Sequence, residues 1–186
     1  MATEFSAGQY PWIKGALQIH QSVIDAVAKE AVRGYALREE VCGYLCGPND
    51  PGALCDEHVA MPNMANKLHA YDPETYFRDA STFFAFNEKR FDNAVRGGEE
   101  AGRPVKVLYH SHLDVGAYFS PTDRAVLSVG EPPAAEDEEM KLGAGPAWPL
   151  AFLVASVRAA GVDDYKLYVW GEGDFVEAEW SVLADT

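Results

Sequence analysis

Two histidines separated by one serine, His110-Ser111-His112, close the apolar and β-branched run PVKVLYHSH that begins at Pro104. On a strand, residues i and i+2 project from the same face, so the two imidazoles converge. A catalytic zinc site holds three protein ligands and leaves the fourth tetrahedral position to water. Asp123 is the natural third ligand, because it falls in the first turn of a helix that follows a short loop after the strand. Ser120, one turn earlier, reaches the same pocket. Each residue has a plainer explanation when taken singly. A strand-end histidine pair is often incidental, Asp123 pairs with the positive end of a helix, Ser120 is an N-cap, and Glu40 is a surface acid at a strand start. Their joint spacing is much narrower: His-x-His, seven residues (LDVGAYF), Ser-x-x-Asp, with Glu40 upstream in EVCGYLCG.

These residues need elements to hold them. Val23, Ile24, Val27, Ala28, Ala31 and Val32 recur at helical spacing, which predicts an amphipathic helix from about His20 to Tyr35. Residues 1–12 read as a loose arm. Glu40 to Gly47 reads as a strand ended by Gly47-Pro48-Asn49-Asp50, and Leu54 to Met61 as another. Asp72-Pro73-Glu74 resembles a helix start, and Tyr76, Phe77, Ala80, Phe83, Phe84 and Phe91 extend the period towards Gly97-Gly98, predicting a second long helix. Ser120-Pro121-Thr122-Asp123 carries an N-cap, a proline at the first helical position and a capping-box acid, so a short helix should run towards Val129. Leu150 to Val157, Lys166 to Trp170 and Phe175 to Val182 are strand candidates, and the Pro-, Gly- and Glu-rich segment 130–148 reads as a mobile acidic surface loop. The sum is an α/β (α+β) domain: a mixed sheet flanked by two long helices and a short helix bearing the third ligand.

With 186 residues, 48% of them apolar, the chain suits a single domain over 1–186 with a full core. Asp and Glu number 29 against 15 Lys and Arg, a formal charge of −14 whose field repels phosphate backbones and anionic lipid. Nucleic acid is therefore a poor partner, and no apolar run reaches the ~18–20 residues of a membrane helix. No basic segment followed by an apolar stretch opens the chain, and three cysteines make a poor disulfide framework, so a cytoplasmic location is expected. Cys42, Cys46 and Cys55 read as small buried apolar residues.

The constellation resembles the JAMM (MPN+) family of zinc metalloproteases, whose signature is an upstream Glu, then His-x-His, seven residues, Ser, two residues, Asp. Here Glu40, His110, His112, Ser120 and Asp123 fill it without a gap. The likeness extends over about Ile19 to Leu183, including an Asn-rich stretch, Pro62-Asn63-Met64-Ala65-Asn66, and it departs where many members carry proline after the second histidine and this chain has Leu113 and Asp114. The family's acid lies three residues before the glycine of Glu-x-x-Gly, which selects Glu40 over Glu39.

The resemblance implies an MPN/cytidine-deaminase-like core and Zn²⁺ held by His110, His112 and Asp123. It also implies Glu40 as general base and Ser120 as oxyanion donor. The reaction implied is hydrolysis of the amide after the C-terminal Gly-Gly of a ubiquitin-like or sulfur-carrier protein. Tyr118 and Phe119 are expected to line the groove for that tail, or else to pack under the loop. Because MPN domains often pair, a homodimer is a candidate assembly. Two other His-x-His readings fail: amidohydrolase barrels need ~250 residues, and a metallo-β-lactamase needs a further histidine where this chain has Val115. A non-catalytic MPN scaffold that binds a partner is the alternative from a different class.

Overall fold

The computed structural model describes residues 5–133 and 139–185. A 3-10 turn, Pro11–Lys14, precedes β1 (Leu17–His20) and α1 (Gln21–Leu37), whose buried stripe is Val23, Ile24, Val27, Ala31 and Gly34. Next come β2 (Cys42–Cys46), β3 (Leu54–Cys55), β4 (Glu57–Met61), α2 (Ala65–Tyr71) and α3 (Glu88–Glu100). The second half holds β5 (Val105–Leu113), α4 (Pro121–Leu127), β6 (Ala151–Arg158), β7 (Gly161–Gly171), β8 (Asp174–Ala178) and β9 (Trp180–Leu183). The mixed α/β class matches the reading of the sequence.

The main sheet has the order β4-β2-β5-β6-β7-β8, with β5 and β6 parallel and the other neighbours antiparallel. Every residue of β5 is buried, as expected of a central strand covered on both faces. One face carries Leu45, Val107, Tyr109, Leu153 and Leu167 against α1. The other carries Leu108, Phe152, Val154 and Tyr168 against Phe84, Phe91, Phe119 and Phe175. A smaller parallel sheet, β3-β1-β9, closes one edge of the first core through Leu17 and Ile19.

Several boundaries differ from the sequence expectation. The second long helix starts at Glu88 and not at Asp72: the Asn87 side chain accepts from Arg90 N–H at 2.9 Å and caps it. Asp72 accepts from Thr75 N–H at 3.1 Å within a turn, and residues 72–87 are irregular. Their backbone is satisfied by two asparagines instead of a helical ladder. Asn63 Oδ1 accepts from Ala85 N–H, its Nδ2 donates to the Phe83 carbonyl, and Asn66 Oδ1 accepts from Ala80 N–H. The aromatic spacing that mimics a helix serves an irregular aromatic wall.

The arm is anchored at its end, because Trp12 is 4% exposed and its indole N–H donates to the Pro149 carbonyl at 2.6 Å. Leu54 to Met61 splits at Asp56 between the two sheets, and the last predicted strand splits at Glu179, whose carbonyl accepts from Ala16 N–H. In the acidic segment, Glu131 and Lys141 exchange backbone hydrogen bonds at 2.8 and 2.9 Å, which pins the base of the loop. The mobile loop expected over 130–148 includes residues 134–138, which lie outside the described residues. All three cysteines are free and buried, and burial raises their thiols, Cys42 and Cys55 to about 12 and Cys46 to about 11. Among the described residues, no helix is long and apolar enough to cross a membrane.

Candidate metal centre

Strand alternation turns Tyr109, Ser111 and Leu113 towards α1 and His110 and His112 to the opposite face. Both histidines are buried, and Phe84 stacks on the His110 ring with centroids 4.4 Å apart. The next element supplies the third group. Ser120 caps α4, with its Oγ accepting from Asp123 N–H at 3.1 Å while Asp123 Oδ2 accepts from Ser120 N–H at 3.0 Å. This reciprocal capping box fixes the Asp123 side chain over the strand end. Its Oδ2 lies 3.3 Å from His110 Nε2 and 3.3 Å from His112 Nε2, and the two Nε2 atoms are 3.1 Å apart.

That triangle is a test of what the site can hold. A tetrahedral zinc with bonds of ~2.0–2.1 Å has ligand atoms about 3.3–3.4 Å apart, close to the observed edges. The donor chemistry agrees. His112 Nδ1 faces the Gly116 carbonyl at 3.1 Å, so its proton sits there and Nε2 turns a lone pair towards a carboxylate oxygen. Lone pairs packed this closely repel unless a cation or a proton lies among them. Burial pushes the Asp123 carboxyl up, but the two imidazoles outweigh it and hold Asp123 well below the usual carboxylate range. Burial lowers His110, against the raising pull of the Asp123 carboxylate. For His112 burial acts the same way, yet the neighbouring Asp123 and Glu40 carboxylates prevail and raise it. The residues fit a zinc ion.

Glu40 is 6% exposed and lines the cleft with His112 and Asp123. Burial pushes its carboxyl up to about 8, against the lowering pull of His112. Backbone contacts hold it there: Glu40 N–H donates to the Ala80 carbonyl at 2.6 Å, and Asn63 Nδ2 donates to the Glu40 carbonyl at 2.9 Å. Ser111, the residue between the histidines, accepts from Val41 N–H at 2.9 Å and ties the Glu40 segment to β5. Glu39 is turned aside and accepts from Asn66 Nδ2 at 2.8 Å. The glycine three residues after Glu40 has a packing reason, since a Cβ at Gly43 would collide with the Val59 carbonyl and the Tyr109 ring.

The loop after His112 is fixed carbonyl by carbonyl. Arg158 Nη1 donates to the Asp114 carbonyl, Ser156 Oγ to Val115, and the Tyr168 hydroxyl to Ala117, at 2.9, 2.7 and 2.9 Å. Asp114, at φ 61°, accepts from the Tyr35 hydroxyl and from Arg38 at 2.8 and 2.9 Å. This is how the chain holds the loop where a proline is common in the resembled family.

Of the two expected groove residues, Tyr118 is 49% exposed and lines the cleft, its ring edge-on to His112 at 5.1 Å. Phe119 is 4% exposed and stacks on Tyr168 at 5.0 Å, so it belongs to the core and not to a groove. The hydroxyl proton of Ser120 is directed at Asp123 Oδ2, 2.6 Å away. The cleft encloses about 330 Å³, and an apolar groove of about 670 Å³ lined by Phe77, Phe83, Phe84, Phe86 and Trp148 adjoins it. Arg78 lines both. The sequence reading did not identify Arg78, Asn63, Asn66 or Phe84 as site residues. Only the Asn-rich stretch was a usable signal, because the loop bearing Arg78 and Phe84 looked helical.

The model of the prokaryotic homologues of the JAB domain matches residues 20–165. A search of curated proteins finds no match. The fold is similar to the solution structure of a protein from Desulfitobacterium hafniense, with 16% identity and a TM-score of 0.60, covering 91% of this chain and 94% of that one. It is also similar to the solution structure of a protein from Salinibacter ruber, with 18% identity and a TM-score of 0.52, covering 90% and 92%. The family match takes in Glu40, both histidines, Ser120 and Asp123, and by it the chain belongs to the prokaryotic JAB-domain family.

Proposed function

We propose that the protein is a zinc metallopeptidase that hydrolyses the amide bond after the C-terminal Gly-Gly of a ubiquitin-like or sulfur-carrier protein. The observation that carries this reading is the near-tetrahedral face made by His110 Nε2, His112 Nε2 and Asp123 Oδ2, beside a cleft lined by His112, Asp123 and the buried Glu40. Zinc, when bound, supplies Lewis acidity that polarises a carbonyl and makes water reactive near neutral pH. Glu40 takes the proton from that water and returns it to the leaving amine. Burial raises this carboxyl in the metal-free chain, which makes it a stronger base for the first step. Ser120 holds Asp123 in place, and reaching a developing oxyanion would require its hydroxyl to turn away from that ligand. Tyr118 offers a half-exposed ring at the cleft wall for an extended tail. A Gly-Gly tail has no side chains, so it suits a narrow cleft of about 330 Å³.

The test is hydrolysis of carrier proteins extended beyond Gly-Gly by zinc-loaded protein, with and without chelator, beside Glu40→Ala. Chelator-sensitive cleavage that is lost in the variant supports the reading. Absence of bound zinc in the purified protein would favour a partner-binding scaffold instead.

A further inference from the structure

Arg78 sits on the irregular segment between α2 and α3, at the wall shared by the metal cleft and the aromatic groove. It is the single Lys or Arg among the described residues that line either cavity. Its Nε is buried and has no hydrogen-bond partner, whereas other buried side-chain nitrogens and oxygens among the described residues are satisfied. A buried donor without a partner is rare in folded proteins and calls for an explanation. The guanidinium lies against the Phe77 ring, 5.1 Å from its centroid, which restrains its direction. The backbone beside it is restrained as well, because Ala80 bonds to Asn66 through its N–H and to Glu40 through its carbonyl.

We propose that Arg78 anchors a free α-carboxylate on the leaving part of the substrate, so that the preferred substrate is a carrier with a short linear extension after Gly-Gly. This rests on the peptidase reading given above. A guanidinium presents its N–H groups as a planar fork that matches a carboxylate at two points, which a lone carbonyl would not need. Charge argues the same way. Arg78 is the one side-chain cation that the described lining of the cleft offers an anionic group, in a chain whose formal charge is −14. A Gly-Gly joined to a lysine side chain presents no carboxylate next to the scissile bond, whereas a one-residue extension does. Water adds hydroxide to the glycyl carbon and a proton to the amine, the C–N bond breaks, and the released amino acid keeps its carboxylate on Arg78.

The test compares a carrier ending Gly-Gly-Ala as the free acid with the same carrier as the C-terminal amide. Zinc-loaded wild type should cleave the acid at least about tenfold faster in kcat/KM. Arg78→Ala should bring the ratio of acid to amide kcat/KM down to about one whatever its effect on the amide alone, and Arg78→Lys should restore part of the preference. Equal wild-type rates for acid and amide would overturn the proposal, and that comparison requires no variant to fold. Parallel loss of both substrates in a folded Arg78→Ala would also overturn it, since the residue would then act on the site and not on the carboxylate. If neither carrier is cleaved, a labelled Gly-Gly-Ala peptide separates the two ideas by fluorescence anisotropy with the zinc-loaded chain. Tighter binding of the acid, lost in Arg78→Ala, keeps the anchor and sinks the peptidase reading. Equal binding of acid and amide sinks the anchor.

Discussion

Replacing Glu40 with glutamine should stabilise the metal-free protein at high pH. Burial raises the Glu40 carboxyl from 4.5 to about 8, so the folded state disfavours the carboxylate that the unfolded chain readily forms. Below pH 4.5 both states are protonated and the burial carries no electrostatic cost. As pH rises towards 8 the unfolded state loses its proton first, and stability falls by ~1.4 kcal/mol per unit until the folded form ionises too. The cost is then about 2 kcal/mol at pH 6 and about 5 kcal/mol at pH 9. Glutamine carries no such charge. The gain in stability of Glu40→Gln over wild type should therefore be about 2–3 kcal/mol larger at pH 9 than at pH 6. Any fixed packing effect of the amide cancels in that difference. Urea unfolding of chelator-treated wild type and variant at the two pH values measures it. A variant-minus-wild-type difference that is the same at both pH values would refute the claim that Glu40 is held desolvated.

Other perturbations separate the parts of the site. Ser120→Ala removes the helix cap and a hydrogen bond to a ligand, so it should cost ~0.5–2 kcal/mol in urea unfolding and weaken zinc ~10–100-fold in chelator competition. Unchanged zinc affinity would separate Ser120 from the ligand. Asn63→Ala leaves the Glu40 and Phe83 carbonyls and two backbone N–H groups without their partner, and should cost at least ~1–3 kcal/mol. Limited proteolysis should then cut first within residues 72–87, and cutting elsewhere would count against the strut. Tyr118→Ala should raise KM for a Gly-Gly substrate with little change in stability, because the ring is half exposed. An unchanged KM and kcat would remove Tyr118 from the groove.

The site was more legible than the fold around it. His110, His112 and Asp123 could be read because their positions depend on short-range rules, strand alternation and helix capping, that the sequence states directly. Glu40 could be read only through the family resemblance, whose acid lies three residues before a glycine; the structure explains Gly43 by the close approach of Tyr109. Residues 72–87 were misread because aromatic spacing imitates a helix while the backbone is satisfied by Asn63 and Asn66, a tertiary effect that no local pattern records. Arg78 was lost with that segment. Phe119 and Trp12 show the same limit: each looks like a loop residue, and each is buried by elements far away in the chain.

Hydrolysis of a carrier protein extended beyond Gly-Gly, run by the zinc-loaded protein in ¹⁸O-labelled water and read by intact mass, tests the central claim most directly. The account predicts a product ending in Gly-Gly that carries one solvent ¹⁸O in its new carboxylate, formed by wild type and by neither Glu40→Gln nor chelator-treated protein. A zinc-saturated wild type that leaves every carrier intact, or that cuts away from the Gly-Gly junction, would contradict it.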